Sequence, residues 1–166
     1  MARAFTGSAE STAPVDEIHA AFGSEYYWRD RLATSEAVTT LDNLDVGDDG
    51  TIVVRYTLDV GRQLLPGMVA RLLPGDVTMR YEETWTPRER MVLGHIAVSV
   101  SGGLGSCNAT TRLEPTATGS ALRFDGRVEV KIPLMGANLE EAIGTDLAKN
   151  IPSVMDFTTT WIEEKS

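Results

Sequence analysis

The chain has few of the residues that cross-link a small protein. Its 166 residues include one cysteine, Cys107, and two histidines, His19 and His95. A single cysteine excludes an intramolecular disulfide, and the three residues do not form a zinc site at any usual spacing. Positive charge is also scarce: 15 Lys and Arg stand against 24 Asp and Glu, for a net charge of −9. Phosphates would be repelled rather than neutralised, which argues against nucleic acid as a partner and against docking on anionic lipid. No hydrophobic run approaches transmembrane length, and the opening "MARAFTGSAESTAP" has a basic residue but no apolar core of a signal peptide. A cytoplasmic protein without stable membrane insertion is expected, and the Asn-Ala-Thr triplet at 108–110 is then a chance sequon. No metal or cofactor motif is present. Composition is that of a globular chain, 42% hydrophobic and 23% charged, and the length suits one good core, so residues 1–166 are expected to form a single domain.

What the sequence does have is alternation. After a polar, edge-like stretch at 3–11, "STAPVDEIHAAFG" predicts a short helix. Ser11 or Thr12 is its cap, Pro14 and two acidic residues lie in its first turn, and Gly23 ends it. Ser24 is placed to cap a second short helix, "EYYWRDRLA". From residue 36 the period is two. Strands are predicted over 36–46, with a bulge near Leu41, and over 51–59, 76–86, 91–101, 105–115 and 120–132. In the last, Leu122, Phe124, Gly126, Val128 and Val130 share one face, and Arg123, Asp125, Arg127 and Glu129 the other. Seven strands joined mostly by short turns predict an antiparallel sheet with one covered face. The cover is the C-terminus, where Leu139, Ile143, Leu147, Ile151, Val154, Phe157 and Trp161 recur at helical spacing, with Asn138 and Glu141 in the pattern of a capping box. Pro152 lies inside that helix and predicts a kink.

The order of elements (a strand, two short helices, six strands, one long helix) resembles the START-like (SRPBCC) superfamily over the whole chain. The phrases "PGDVTMRYEETW", "GSALRFDGRVEVKIPLMG" and "FTTTWI" resemble an actinobacterial domain-of-unknown-function family within it. The resemblance implies an α+β helix-grip fold: a curved seven-stranded antiparallel sheet wrapped around a long C-terminal helix. It also implies a cavity for an apolar small molecule between the two, and it carries no catalytic motif to transfer. Small inward residues (Gly94, Cys107, Ala109, Thr111, Gly126) and Gly144 on the helix fit such a cavity, or fit close packing of helix on sheet.

Within this frame the expected function is non-covalent binding of a hydrophobic or lipid-like metabolite. The expected lining is Tyr56, Met68, Leu72, Met79, Tyr81, Glu83, Trp85, Val98, Phe124, Gly144 and Leu147. Glu83 is the sharpest polar candidate, because alternation puts it on the apolar face with Val77, Met79, Tyr81 and Trp85. A carboxylate there loses hydration and calls for a cation or donors, and it is read either as a ligand anchor or as a paired residue at the rim. A cyclase- or dehydratase-type enzyme using Glu83 and Tyr81 is the alternative function. The parity of residues 91–101 points His95 to solvent, His19 borders an apolar helix face, and Cys107 reads as an inert buried thiol. "LLPGMVARLLPG" (64–75) predicts a short apolar helix around residues 66–72. It is read as a lid over the cavity mouth, a plug, or a surface for a protein partner.

Overall fold

In the computed structural model, the described residues are 2–64, 70–71, 75–132 and 136–165. The strands are β1 (Ala2–Ser11), β2 (Val38–Val46), β3 (Ile52–Val60), β4 (Val77–Arg88), β5 (Met91–Val100), β6 (Gly105–Thr116) and β7 (Gly119–Val130). The helices are α1 (Val15–Phe22), α2 (Glu25–Leu32) and a long C-terminal α3 (Gly136–Lys165). One seven-stranded sheet has the order β1-β7-β6-β5-β4-β3-β2, with every pair antiparallel. This is the helix-grip architecture, with a curved sheet, a long C-terminal helix and two short helices. Among the described residues no helix is long and apolar enough to cross a membrane.

The period-two pattern explains the sheet. In β7 the buried positions are Leu122, Phe124, Gly126 and Val128, and the charged residues between them are exposed or half-buried. β2 carries the expected irregularity, a register shift between Leu41 and Asn43. The turn after β2 closes on Gly50, whose φ of +85° suits a residue without Cβ, and Asp49 accepts from the Thr51 amide at 3.0 Å.

Two expected helix caps are corrected. Pro14, not Ser11 or Thr12, stands at the N-cap of α1, with no side-chain cap bond. The Ser11 hydroxyl instead accepts from the Ala13 amide at 3.0 Å and bonds Thr159 of α3 at 2.5 Å. The Asn138–Glu141 capping box does not form, because α3 already begins at Gly136 and both side chains are exposed. The carboxylate with a structural role there is Glu140, which is buried and accepts from the Val130 amide at the end of β7, at 2.8 Å. α3 runs as one helix through Pro152.

α3 packs chiefly along β1 and β7. Its buried line is Glu140, Gly144, Met155 and Thr158, about one residue around from the expected stripe, so Ile143 is left 38% exposed. The reason is close approach: Gly144 lies over β1, where an added Cβ would meet Phe5 Cβ at 3.6 Å.

Candidate functional site

The antiparallel register arranges the concave face in rows across the strands. One row is Ile52, Trp85, Gly94, Thr111, Phe124 and Gly7, and the next is Val54, Glu83, Ile96, Ala109, Gly126 and Phe5. Three aromatic rings in these rows each cover the glycine directly opposite. A Cβ on Gly94 would come within 2.7 Å of the Trp85 ring, one on Gly126 within 2.5 Å of Phe5, and one on Gly7 within 2.3 Å of Phe124. Aromatic–glycine pairs of this kind fill the hollow that the missing side chain leaves. Gly94 and Gly126 therefore do not leave room for a ligand, which corrects that part of the sequence reading.

Glu83 sits at the centre of this closed region, 1% exposed. Tyr56 donates to its Oε2 at 2.5 Å, the Trp85 indole N–H donates to its Oε1 at 3.1 Å, and the Arg31 guanidinium of α2 lies 3.8 Å from Oε2. Both conditions for a buried carboxylate, a cation and donors, are met. Burial opposes the charge on Arg31, but Tyr27, Glu83 and Tyr56 around it raise its pKa above the ordinary range. Arg31 also stacks 4.7 Å over the Trp28 ring. Burial first, then the Glu83 charge, push the Tyr56 hydroxyl well above the usual phenol range. Burial likewise raises Tyr27. Tyr27 donates to Thr158 on α3 at 2.6 Å, because the Thr158 hydroxyl gives its own proton to the Val154 carbonyl at 2.8 Å. Glu83 thus ties β3, β4 and α2 together, and α2 in turn holds α3. Each of the Glu83 oxygens accepts one hydrogen bond.

Towards the β3–β4 connection the face opens. The row Tyr56, Tyr81, Val98, Cys107 and Val128, and the row Leu58, Met79, Val100, Gly105 and Val130, follow in register. Here Leu58, Met79, Tyr81, Val100, Cys107 and Val130 are only half-buried, as are Leu147 and Ile151 of α3 opposite. The Tyr81 ring stacks on Tyr56, with centroids 4.7 Å apart and planes at 11°. Burial, then Cys107 and Glu83, push the Tyr81 hydroxyl up to about 12, and burial raises the Cys107 thiol to about 11, the behaviour of an unreactive cysteine. Leu147 also borders a groove of about 510 Å³ along α3, lined by Ile143, Asp146, Asn150 and Ser153 among others, so that groove abuts the interior.

The expected site residues divide accordingly. Met79 and Tyr81 lie half-buried in adjacent rows towards the open end, Val98 is buried beside Tyr81, and Leu147 of α3 packs instead against the cluster of Phe5, Ala109, Phe124 and Val128. Tyr56, Glu83, Trp85 and Phe124 are buried in the closed part, and Gly144 is buried against Phe5. Met68 and Leu72 lie outside the described residues, as does most of the expected lid helix. Of that segment, Leu64 ends a short 3-10 turn and is 37% exposed, and Ala70 and Arg71 are helical. His95 points outward, and His19 bonds the Gly50 carbonyl at 2.8 Å. Sequence reasoning missed Arg31. The available signal was helical spacing, since Tyr27, Trp28, Arg31 and Leu32 fall on one face of α2.

The chain belongs to the family described as "Protein of unknown function (DUF2505)", whose pattern matches residues 6–162. The protein Rv0481c of Mycobacterium tuberculosis is 38% identical to it, over 98% of each chain. Among solved structures, TTHA0849 from Thermus thermophilus superposes with a TM-score of 0.66 at 13% identity, over 99% of both chains. The Zhui aromatase/cyclase from a Streptomyces species does so with a TM-score of 0.57 at 13% identity, over 99% of this chain and 96% of that one. These likenesses support the helix-grip fold.

Proposed function

We propose that residues 1–166 form one START-like domain that binds a hydrophobic small molecule non-covalently, between the concave face and α3 at the end facing the β3–β4 connection. One observation carries the reading. Tyr81 and Cys107 of one row and Leu58, Met79, Val100 and Val130 of the next stay half-buried, while the neighbouring Glu83 and Trp85 rows are mostly closed. Apolar surface of this kind, walled on several sides, is what a preformed pocket for an apolar ligand offers. Met79, Val98 and Leu147 line it, Tyr81 is its polar handle, and Tyr56, Trp85, Phe124 and Gly144 form the wall behind. Glu83 braces that wall.

The test is saturable binding of the neutral dye N-phenyl-1-naphthylamine, together with native mass spectrometry of protein purified from its own host. Met79→Trp should lower dye affinity at least about tenfold while leaving unfolding free energy within about 1 kcal/mol, because Met79 is only half-buried and the larger side chain need not displace packed neighbours. Absence of both dye binding and a retained ligand in folded wild-type protein would refute the proposal.

A further inference from the structure

Resting on that ligand-binding reading, we propose that the ligand is an apolar molecule carrying a neutral carbonyl oxygen, and that the Tyr81 hydroxyl donates the hydrogen bond that selects it. Tyr56 covers one face of the Tyr81 ring. Tyr81 as a whole is half-buried, so part of its surface remains accessible. Among the described residues its hydroxyl makes no hydrogen bond. Glu83, an acceptor whose charge reaches Tyr81, already receives Tyr56 and Trp85. Among the described residues at the open end, Met79, Val98, Leu58 and Leu147 offer no oxygen, and Cys107 offers only a weak sulfur acceptor. Once an apolar ligand displaces water from the Tyr81 hydroxyl, a proton left without an acceptor is costly, and a ligand oxygen removes that cost.

Charge decides what kind of oxygen it is. Glu83 disfavours negative charge at the Tyr81 hydroxyl, Arg31 offsets only part of that, and the chain carries a net −9. A carboxylate, phosphate or sulfonate would meet both, whereas a ketone, aldehyde or ester oxygen accepts the same bond without charge. Because Tyr81 stays a phenol up to a pH of about 12, it remains a donor throughout the physiological range.

The test compares two probes of nearly equal shape, 2-acetylnaphthalene and 2-isopropenylnaphthalene, in which a C=O is replaced by a C=CH2. Each is titrated by displacement of N-phenyl-1-naphthylamine. Wild-type protein should prefer the ketone by about three- to tenfold, the range that one net hydrogen bond supplies. Tyr81→Phe should abolish the preference, so that the two probes bind with equal affinity. A measurement independent of the variant is the infrared C=O stretch of bound 2-acetylnaphthalene, which should lie at lower wavenumber than in cyclohexane. Equal affinity for both probes, a preference that survives in Tyr81→Phe, or an unshifted carbonyl stretch overturns the proposal and leaves the apolar site standing. Failure of the ketone to displace bound dye overturns the proposal, and absence of both dye binding and a retained ligand removes the site itself and the proposal with it.

Discussion

Replacing Glu83 with Gln tests whether this residue braces the fold. The amide keeps the shape but has one acceptor. The Trp85 indole can only donate, so the amide oxygen must face it and the NH2 must face Tyr56. The Tyr56 hydroxyl then accepts, and its own proton loses its partner inside a buried cluster. Arg31, a permanent cation whose side chain is 18% exposed, loses its counter-charge. Removing one partner of a fully buried pair costs about 3–5 kcal/mol. The 3.8 Å separation and the partial exposure of Arg31 reduce this to about 2–3 kcal/mol. In a chain of this length that corresponds to a fall in Tm of roughly 4–12 °C. Urea unfolding of wild type, Glu83→Gln, Arg31→Met and the double variant gives the coupling directly, and about 1–2 kcal/mol is expected between the two sites. A Glu83→Gln protein within about 0.5 kcal/mol of wild type would refute the bracing role. The same measurement guards against misreading a loss of any activity in Glu83→Gln as loss of a catalytic group.

The aromatic–glycine pairs make a sharp packing prediction. Gly126→Ala forces the Phe5 ring aside, since the new Cβ would lie 2.5 Å from Phe5 Cζ and 2.9 Å from Ala109 Cβ. It should cost about 1–3 kcal/mol, and Phe5→Leu in the same chain should recover part of that, as read by thermal unfolding. A neutral Gly126→Ala would mean that the ring has space to move into. The raised phenols predict alkaline sensitivity. Tyr27, Tyr56 and Tyr81 all bind their protons more tightly folded than unfolded. Their contribution is therefore fully present below a pH of about 10, the unfolded phenol value, and is lost as pH rises through the folded values. Unfolding free energy should fall with pH above about 10, with a shallower slope in Tyr81→Phe than in wild type; equal slopes would mean that Tyr81 titrates as an exposed phenol.

Periodicity made much of this protein readable from its residues alone. Alternation through 77–85 and 120–130 determines which side chains share a face, because the pleat repeats every two residues whatever lies beyond the strand. It put Glu83 inside and His95 outside, and it placed the bulge near Leu41. The composition of 139–161 likewise made α3 a helix with one apolar side. What local pattern cannot carry is the partner across space. That Glu83 meets Arg31 depends on how α2 folds back over the sheet, and the sequence marks only which face of α2 is apolar. Gly126 and Gly94 look the same whether a ligand or a ring fills the hollow. Only the register of β1 on β7, and of β4 on β5, puts Phe5 and Trp85 there. The rotation of α3 that buries Gly144 and exposes Ile143 was decided in the same way, by how closely the helix backbone approaches Phe5, a distance set by two segments at opposite ends of the chain.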